Sequence, residues 1–236
     1  MKKIILGAAV ALLMSAGLFA KTWTNNIGVG FSVPVTLMSA KDPIFYDSGD
    51  TQVSLTSKKD KMHLGFNVAG MYLGYHENGF TVKGALSLGV GYASDYWASI
   101  DLNGKVSVDP ALGFNGLETL GVGYSIVHTD KVVFSVLGGM GFQENVYSYK
   151  QTTGLLGQVY EDDITNFFFT FSLGADVTLM LRSPDGFGFF SSIYVGWIPF
   201  GTVSREERTN LGKASVDADL KGNAVIAPTI GVVWSF

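Results

Sequence analysis

Cysteine is missing from all 236 residues, which removes disulfide staples and thiolate metal centres together. Charge is scarce too, at 15% of residues against 47% hydrophobic. Sixteen Lys and Arg face twenty Asp and Glu, a formal net charge of −4, so no basic stripe exists to neutralise nucleic-acid phosphates. Beyond the N-terminus no run of about eighteen apolar residues offers a membrane-spanning helix. What remains is 30 glycines, 13% aromatics and only six prolines. Such an apolar chain without helices fits a barrel whose outside faces lipid while its backbone is satisfied strand to strand.

The first residues have another purpose. Lys2 and Lys3 precede an apolar run from Ile4 to Met14, then Ser15, Ala16, Gly17 and Leu18-Phe19-Ala20, the layout of a secretory signal peptide. Residues 1–20 are expected to be removed. Cleavage after Ala20 puts Leu18 at the usual small-residue position, whereas cleavage after Gly17 puts Ser15 there. Residues 21–236 are expected to form one barrel domain, because eight strands and their loops use roughly 215 residues.

Period-two alternation recurs eight times, and each repeat assigns an apolar face to lipid. The first strand, near 25–38, sends Ile27, Val29, Phe31, Val33, Val35 and Leu37 outward. The second, near 62–75, sends Leu64, Phe66, Val68 and Tyr72 outward and keeps Asn67 inside. The third, near 80–97, turns Val82, Leu86, Leu88 and Val90 out and Lys83, Ser87 and Gly89 in. The fourth, near 115–128, exposes Leu120, Val122, Tyr124 and Ile126. The fifth, near 131–149, exposes Val132, Phe134, Val136, Met140 and Phe142. On the sixth, near 164–182, Phe167 through Leu181 alternate with inward Asn166, Thr170, Ser172, Asp176, Thr178 and Arg182. The seventh, near 187–204, exposes Phe187, Phe189, Ile193, Val195 and Trp197, and the last exposes Ile226, Ile230, Trp234 and Phe236.

Short and long connections alternate. The short ones are Glu77-Asn78-Gly79, a stretch around Thr129-Asp130, and Pro184-Asp185-Gly186. Facing His76 with Phe80 and Ser183 with Phe187 gives three-residue loops ending in glycine, a type I turn plus bulge. The long ones, near 39–61, 98–114, 150–163 and 205–222, are polar and are expected outside the cell, which leaves the termini in the periplasm. Asn103-Gly104 suggests a projecting hairpin in the second. A ten-stranded barrel survives only if 39–61 hides a spanning hairpin.

The signal peptide, eight alternating strands, glycine-ended turns and terminal Val233-Trp234-Ser235-Phe236 together resemble the small outer-membrane barrels of the OmpA transmembrane, OmpX and OmpW type. That resemblance implies an all-β, antiparallel, up-and-down transmembrane barrel in the bacterial outer membrane, monomeric and surrounded by lipid. It also implies that the strand ending in Phe236 is read by the barrel-assembly machinery.

Four Gly-x-Gly-aromatic segments, such as Gly89-Val90-Gly91-Tyr92, lack the third glycine and following helix of a phosphate cradle. They are barrel elements. Because an eight-stranded barrel either fills with side chains or holds one small ligand, small inward residues beside Met71, Leu137, Phe168, Met180 and Phe190 suggest a narrow cavity. The alternative is that glycine only permits tight curvature. Lumen-lining candidates are Lys83, Asp176, Arg182, Tyr194 and Asn67. Asp176 falls opposite Tyr194, so a carboxylate to phenol contact is expected, while Lys83 and Arg182 either line a polar lower lumen or sit solvated at the periplasmic rim. His63 is expected exposed at a strand mouth. With no nucleophile motif beside it, no enzymatic activity is expected. Glu161-Asp162-Asp163 and Asp217-x-Asp219 lack a calcium-loop ligand run, so neither metal nor cofactor is expected. Two aromatic girdles are expected: Trp23, Phe80, Phe187, Trp234 and Phe236 below, and Tyr92, Tyr96, Trp97, Tyr147 and Trp197 above. The leading functional expectation is an OmpW-like conduit or binding site for a small amphipathic molecule. The other is an OmpX-like surface protein that acts in adhesion or envelope integrity through its loops.

Overall fold

The computed structural model describes residues 22–40, 44–48, 51–55, 61–93, 98–100, 106–108, 111–155, 158–183, 185–209 and 212–236. The signal-peptide reading lies outside them, as do Tyr96, Trp97 and Asn103-Gly104. In chain order the strands are β1 (Trp23–Ser32), β2 (Val35–Ala40), β3 (Ile44–Ser48), β4 (Thr51–Leu55), β5 (Lys61–His76), β6 (Phe80–Ala93), β7 (Ala98–Ile100), β8 (Val106–Val108), β9 (Ala111–His128), β10 (Val132–Leu155), β11 (Gln158–Arg182), β12 (Phe187–Thr209) and β13 (Gly212–Ser235).

β1 and β2 make one wall strand interrupted at Pro34, which has no N–H to give the ladder. That pair, β5, β6, β9, β10, β11, β12 and β13 form an antiparallel ring, closed where β1 and β2 pair with both β5 and β13. β3 pairs only with β4, and β7 only with β8. Among the described residues between β2 and β5, therefore, no strand joins the ring, and within the second long connection β7 and β8 pair antiparallel, Ala98↔Val108 to Ile100↔Val106.

The expected faces are observed. Phe31, Phe66, Val68, Val122, Phe189, Trp197 and Ile230 are exposed, and their alternating neighbours, including Ser32, Asn67, Phe190 and Val225, are buried. Exposed apolar residues outside and buried polar ones inside invert a soluble core, and lipid is the solvent that stabilises the arrangement. The lower girdle forms: Trp23 meets Phe80 edge-on at 6.0 Å, Phe80 meets Tyr124 at 6.2 Å and Phe187 meets Trp234 at 5.4 Å.

Both glycine-ended turns have the expected geometry. Gly79 and Gly186 have φ of 88° and 83°, and the Gly79 N–H donates to the His76 carbonyl at 2.8 Å. The Ser183 N–H donates to the Phe187 carbonyl at 2.8 Å. The third and fourth long connections differ from loops. β10 and β11 stay paired to Leu155↔Gln158, and β12 and β13 to Thr209↔Gly212. β11 has 25 residues, where about 10 cross the membrane, so these ribbons project far beyond it. Alternation breaks once on β12: Phe171 pairs with Phe200 but Leu173 with Trp197. The intervening Ile198 and Pro199 form a bulge, a position where proline's missing N–H is tolerated.

Candidate functional site

The barrel interior is the candidate site, and its lower mouth is closed by Arg182. Its guanidinium donates to Asn26 Oδ1 at 3.2 Å, Ser235 Oγ at 2.9 Å, the Tyr75 hydroxyl at 2.9 Å and the Thr129 carbonyl at 2.7 Å. Tyr75 also lies beneath the cation, 5.9 Å from its ring centre. The rim expectation is right for position, but the charge is tied to three strands and a turn rather than solvated. On the neighbouring turn Ser183 donates a hydrogen bond to the Asp185 carboxylate, and this holds Asp185 below its ordinary pKa.

Above Arg182, Met71, Leu73, Val133, Met180, Phe190 and Val233 form a buried apolar layer. A polar belt follows. Lys83 Nζ lies 2.7 Å from each Asp176 carboxylate oxygen and also donates to Thr178 Oγ1 at 2.9 Å and Ser192 Oγ at 2.5 Å. Both ionic side chains are at most 6% exposed, so Lys83 belongs to the lower lumen and not to the rim. The Asp176 to Tyr194 expectation needs correction. The two residues do pair across β11 and β12, but the Tyr194 hydroxyl contacts Ser172 Oγ at 2.9 Å. The carboxylate instead meets an ammonium from across the barrel, a stronger partner than a phenol in low dielectric.

The upper half is amide-rich. Asn67 Nδ2 donates to Ser87 Oγ at 3.1 Å and to Asn115 Oδ1 at 2.7 Å; Asn115 Nδ2 donates to Asn145 Oδ1 at 2.5 Å; Thr36 Oγ1 donates to Gln143 Oε1 at 2.5 Å. Five buried amide atoms here have no hydrogen-bond partner among the described residues: Asn67 Oδ1, Gln143 Nε2, Asn145 Nδ2, and Nδ2 and Oδ1 of Asn166. Beside them His63, Tyr147 and Phe168 form a three-ring cluster, with His63 5.0 Å from each of the other two ring centres. His63 is fully buried, not exposed at a strand mouth. The cause is strand parity, since Leu64 next to it faces lipid. Tyr147 likewise points into the lumen and leaves the upper girdle, whereas Trp197 stands outward, 61% exposed.

Met71, Leu137, Phe168, Met180 and Phe190 are all buried inside as expected, and they fill the space. The void bordered by Lys83, Asp176, Ser192 and Tyr194 measures about 20 Å³, room for one water. Inward glycines do not enlarge it. A Cβ on Gly89 would stand 2.1 Å from the Phe66 carbonyl oxygen, so this glycine serves close strand approach, as the curvature alternative requires. Sequence reading missed the amide belt of Asn115, Gln143 and Asn145, although inward parity on β9 and β10 was enough to find it.

No family model and no curated protein matches the chain. Solved structures do. OprG of Pseudomonas aeruginosa, an outer membrane protein, aligns at 11% identity and TM-score 0.54, over 92% of this chain and 97% of its own. A major outer membrane protein of Thermus thermophilus aligns at 14% identity and TM-score 0.51, over 88% and 99%. Ail of Yersinia pestis, in complex with a heparin analogue, aligns at 13% identity and TM-score 0.39, over 91% and 99%. The first two likenesses establish fold. With the lipid-facing belt, they make the chain an integral β-barrel of the bacterial outer membrane.

Proposed function

We propose that this barrel binds a small amphipathic molecule in the upper half of its lumen, and that any passage through it follows displacement of the side chains that fill it. One observation carries the reading: Gln143, Asn145 and Asn166 have buried, unpaired hydrogen-bonding atoms beside an aromatic wall of His63, Tyr147 and Phe168. A buried amide without a partner costs about 1–3 kcal/mol, and a ligand carbonyl or hydroxyl would meet it while its hydrocarbon part lies on the rings. The reading is non-enzymatic and monomeric, with the strand ending in Phe236 presented to the assembly machinery. Burial of His63 between two rings supports the first point.

The test follows the side-chain amide resonances of Asn145, Asn166 and Gln143 in the refolded protein while 1-octanol or decanoate is titrated. Saturable shifts confined to these groups are expected, and Asn166→Leu is expected to remove them without loss of stability. No saturable shift, or undiminished binding by Asn166→Leu, would refute the reading. Single-channel recording in a planar bilayer adds the transport question, with a silent wild type expected until ligand is present.

The projecting β10–β11 and β12–β13 ribbons favour the second reading, a surface protein acting through its extracellular parts. Deleting residues 150–163 would then abolish adhesion to host cells or matrix while the barrel remains folded. Intact adhesion after that deletion counts against it.

A further inference from the structure

The unpaired groups of the upper lumen differ in kind, and the difference selects a ligand head. Asn67 donates to Asn115 and Asn115 to Asn145, so these three amides run head to tail. Among the described residues that chain leaves an acceptor open at one end, Asn67 Oδ1, and a donor at the other, Asn145 Nδ2. Gln143 accepts from Thr36 and keeps only a donor open. Asn166 stands outside the chain. Its Nδ2 and Oδ1 are both unpaired among the described residues, and the residue is 0% exposed. An amide in that state presents a donor and an acceptor side by side on one edge. Turning the group over exchanges the two atoms and leaves the same edge, so the feature does not depend on which atom is nitrogen.

Register places rings around this edge. Asn166 on β11 pairs directly with Tyr147 on β10, and Asn145 pairs with Phe168, so inward amides and inward rings alternate along both strands. Tyr147 and Phe168 lie 6.0 Å apart, and His63 stands 5.0 Å from each. An apolar body therefore has a surface to lie on beside the polar edge. No counter-ion is on offer to the head. Among the described side chains the buried ions are Lys83 and Asp176, and each already neutralises the other. Moving a charged head into such surroundings without a counter-ion is costly.

We propose that the lumen ligand carries a neutral amide whose N–H and C=O share one edge, as in a primary carboxamide, and that Asn166 reads this edge through two hydrogen bonds. Asn166 Nδ2 donates to the ligand carbonyl, and the ligand N–H donates to Asn166 Oδ1. Gln143 Nε2 and Asn145 Nδ2 supply a donor for the second lone pair of that carbonyl. Other heads meet less of this set. A hydroxyl brings its donor and acceptor on a single atom, an ester or ketone only accepts, and a secondary amide in its trans form holds N–H and C=O on opposite sides. The assignment rests on lumen binding and adds to it the class of molecule bound.

The test titrates octanamide, N-methyloctanamide, 1-octanol and octanoate into the refolded protein and follows the side-chain amide resonances of Asn166, Asn145 and Gln143. Affinities are compared after correction for each probe's partition into the surrounding lipid. Octanamide is expected to bind about tenfold tighter than N-methyloctanamide or octanol, the size of one net hydrogen bond in a buried site. Octanoate is expected to bind most weakly. Asn166→Thr keeps a hydrogen-bonding group without the edge and should make the two amides equal. If that variant folds poorly, the wild-type comparison of the two amides decides alone, because they differ by a single methyl group. Equal affinity of the two amides for the wild type, or a preference that survives Asn166→Thr, overturns the assignment and leaves lumen binding in place. Absence of saturable shifts with all of the probes overturns both.

Discussion

Replacing Lys83 by methionine keeps an unbranched side chain in the lower lumen and removes its charge. The Asp176 carboxylate, 4% exposed, loses a donor 2.7 Å from both oxygens. It retains the hydroxyl of Thr178 at 2.7 Å and that of Ser192 at 3.2 Å. Removing one member of a buried ion pair costs about 3–5 kcal/mol. With two hydroxyl donors left, the lower end applies: about 3 kcal/mol, roughly a 150-fold shift in the folding equilibrium. Asp176→Leu alone strands the ammonium and is expected to cost at least as much. Lys83→Met with Asp176→Leu removes both charges beside apolar Met71 and Phe190, and such exchanges are often neutral or stabilising. The double variant should therefore lie within about 1 kcal/mol of wild type, which gives a coupling of several kcal/mol. Equilibrium urea unfolding of all four proteins from the same phospholipid vesicles, read by tryptophan fluorescence, measures it. Additive costs, or a Lys83→Met cost under about 0.5 kcal/mol, would refute the argument, because the pair would then behave like a solvated one.

Gly79→Ala and Gly186→Ala force a side chain into the left-handed region and should each cost about 1–2 kcal/mol. Gly186→Ala should be the worse in urea unfolding, because its added Cβ would lie 2.7 Å from the Ser235 carbonyl oxygen, against 3.0 Å from that of Ser125 at Gly79. Asp185 should titrate below the ordinary aspartate range by carboxyl NMR, and Ser183→Ala should move it upward. Because the folded-state pKa is the depressed one, the stabilising contact is present above the ordinary aspartate pKa and is lost as pH falls through the folded value. Gly89→Leu should prevent folding, read by heat-modified gel mobility, because a Cβ there meets the Phe66 carbonyl at 2.1 Å. Gly121→Leu should fold, since its nearest neighbour is the Leu137 side chain at 3.3 Å.

Which face each residue takes is legible in the sequence because two different solvents enforce the same period. Lipid selects Phe31, Val122 and Ile230 outside, and a filled lumen selects Ser32, Asn67 and Phe190 inside, so a slip of one residue would be penalised on both faces. Turn chemistry then sets register, and Asp176 does face Tyr194. Errors arise where a residue-type habit overrides the period. Aromatics gather in girdles and a loop precedes His63, which argues for Tyr147 at the interface and His63 at a mouth, yet alternation with Val146 and Leu64 puts both inside. A different kind of fact is out of reach. Lys83 on β6 meets Asp176 on β11, with β9 and β10 between them in the wall. Alternation and turns specify neighbours along the sheet, whereas contacts across the lumen depend on barrel tilt, stagger and side-chain length. The residues that close the lumen, Lys83, Arg182 and His63, all act by such contacts. Whether a small barrel is open or shut is thus decided at the level its sequence pattern encodes least. Glu118 is the converse case: its outward position follows from parity with Leu120, and it escapes a reading by pattern because a charge on the lipid face is what that parity leads one not to expect.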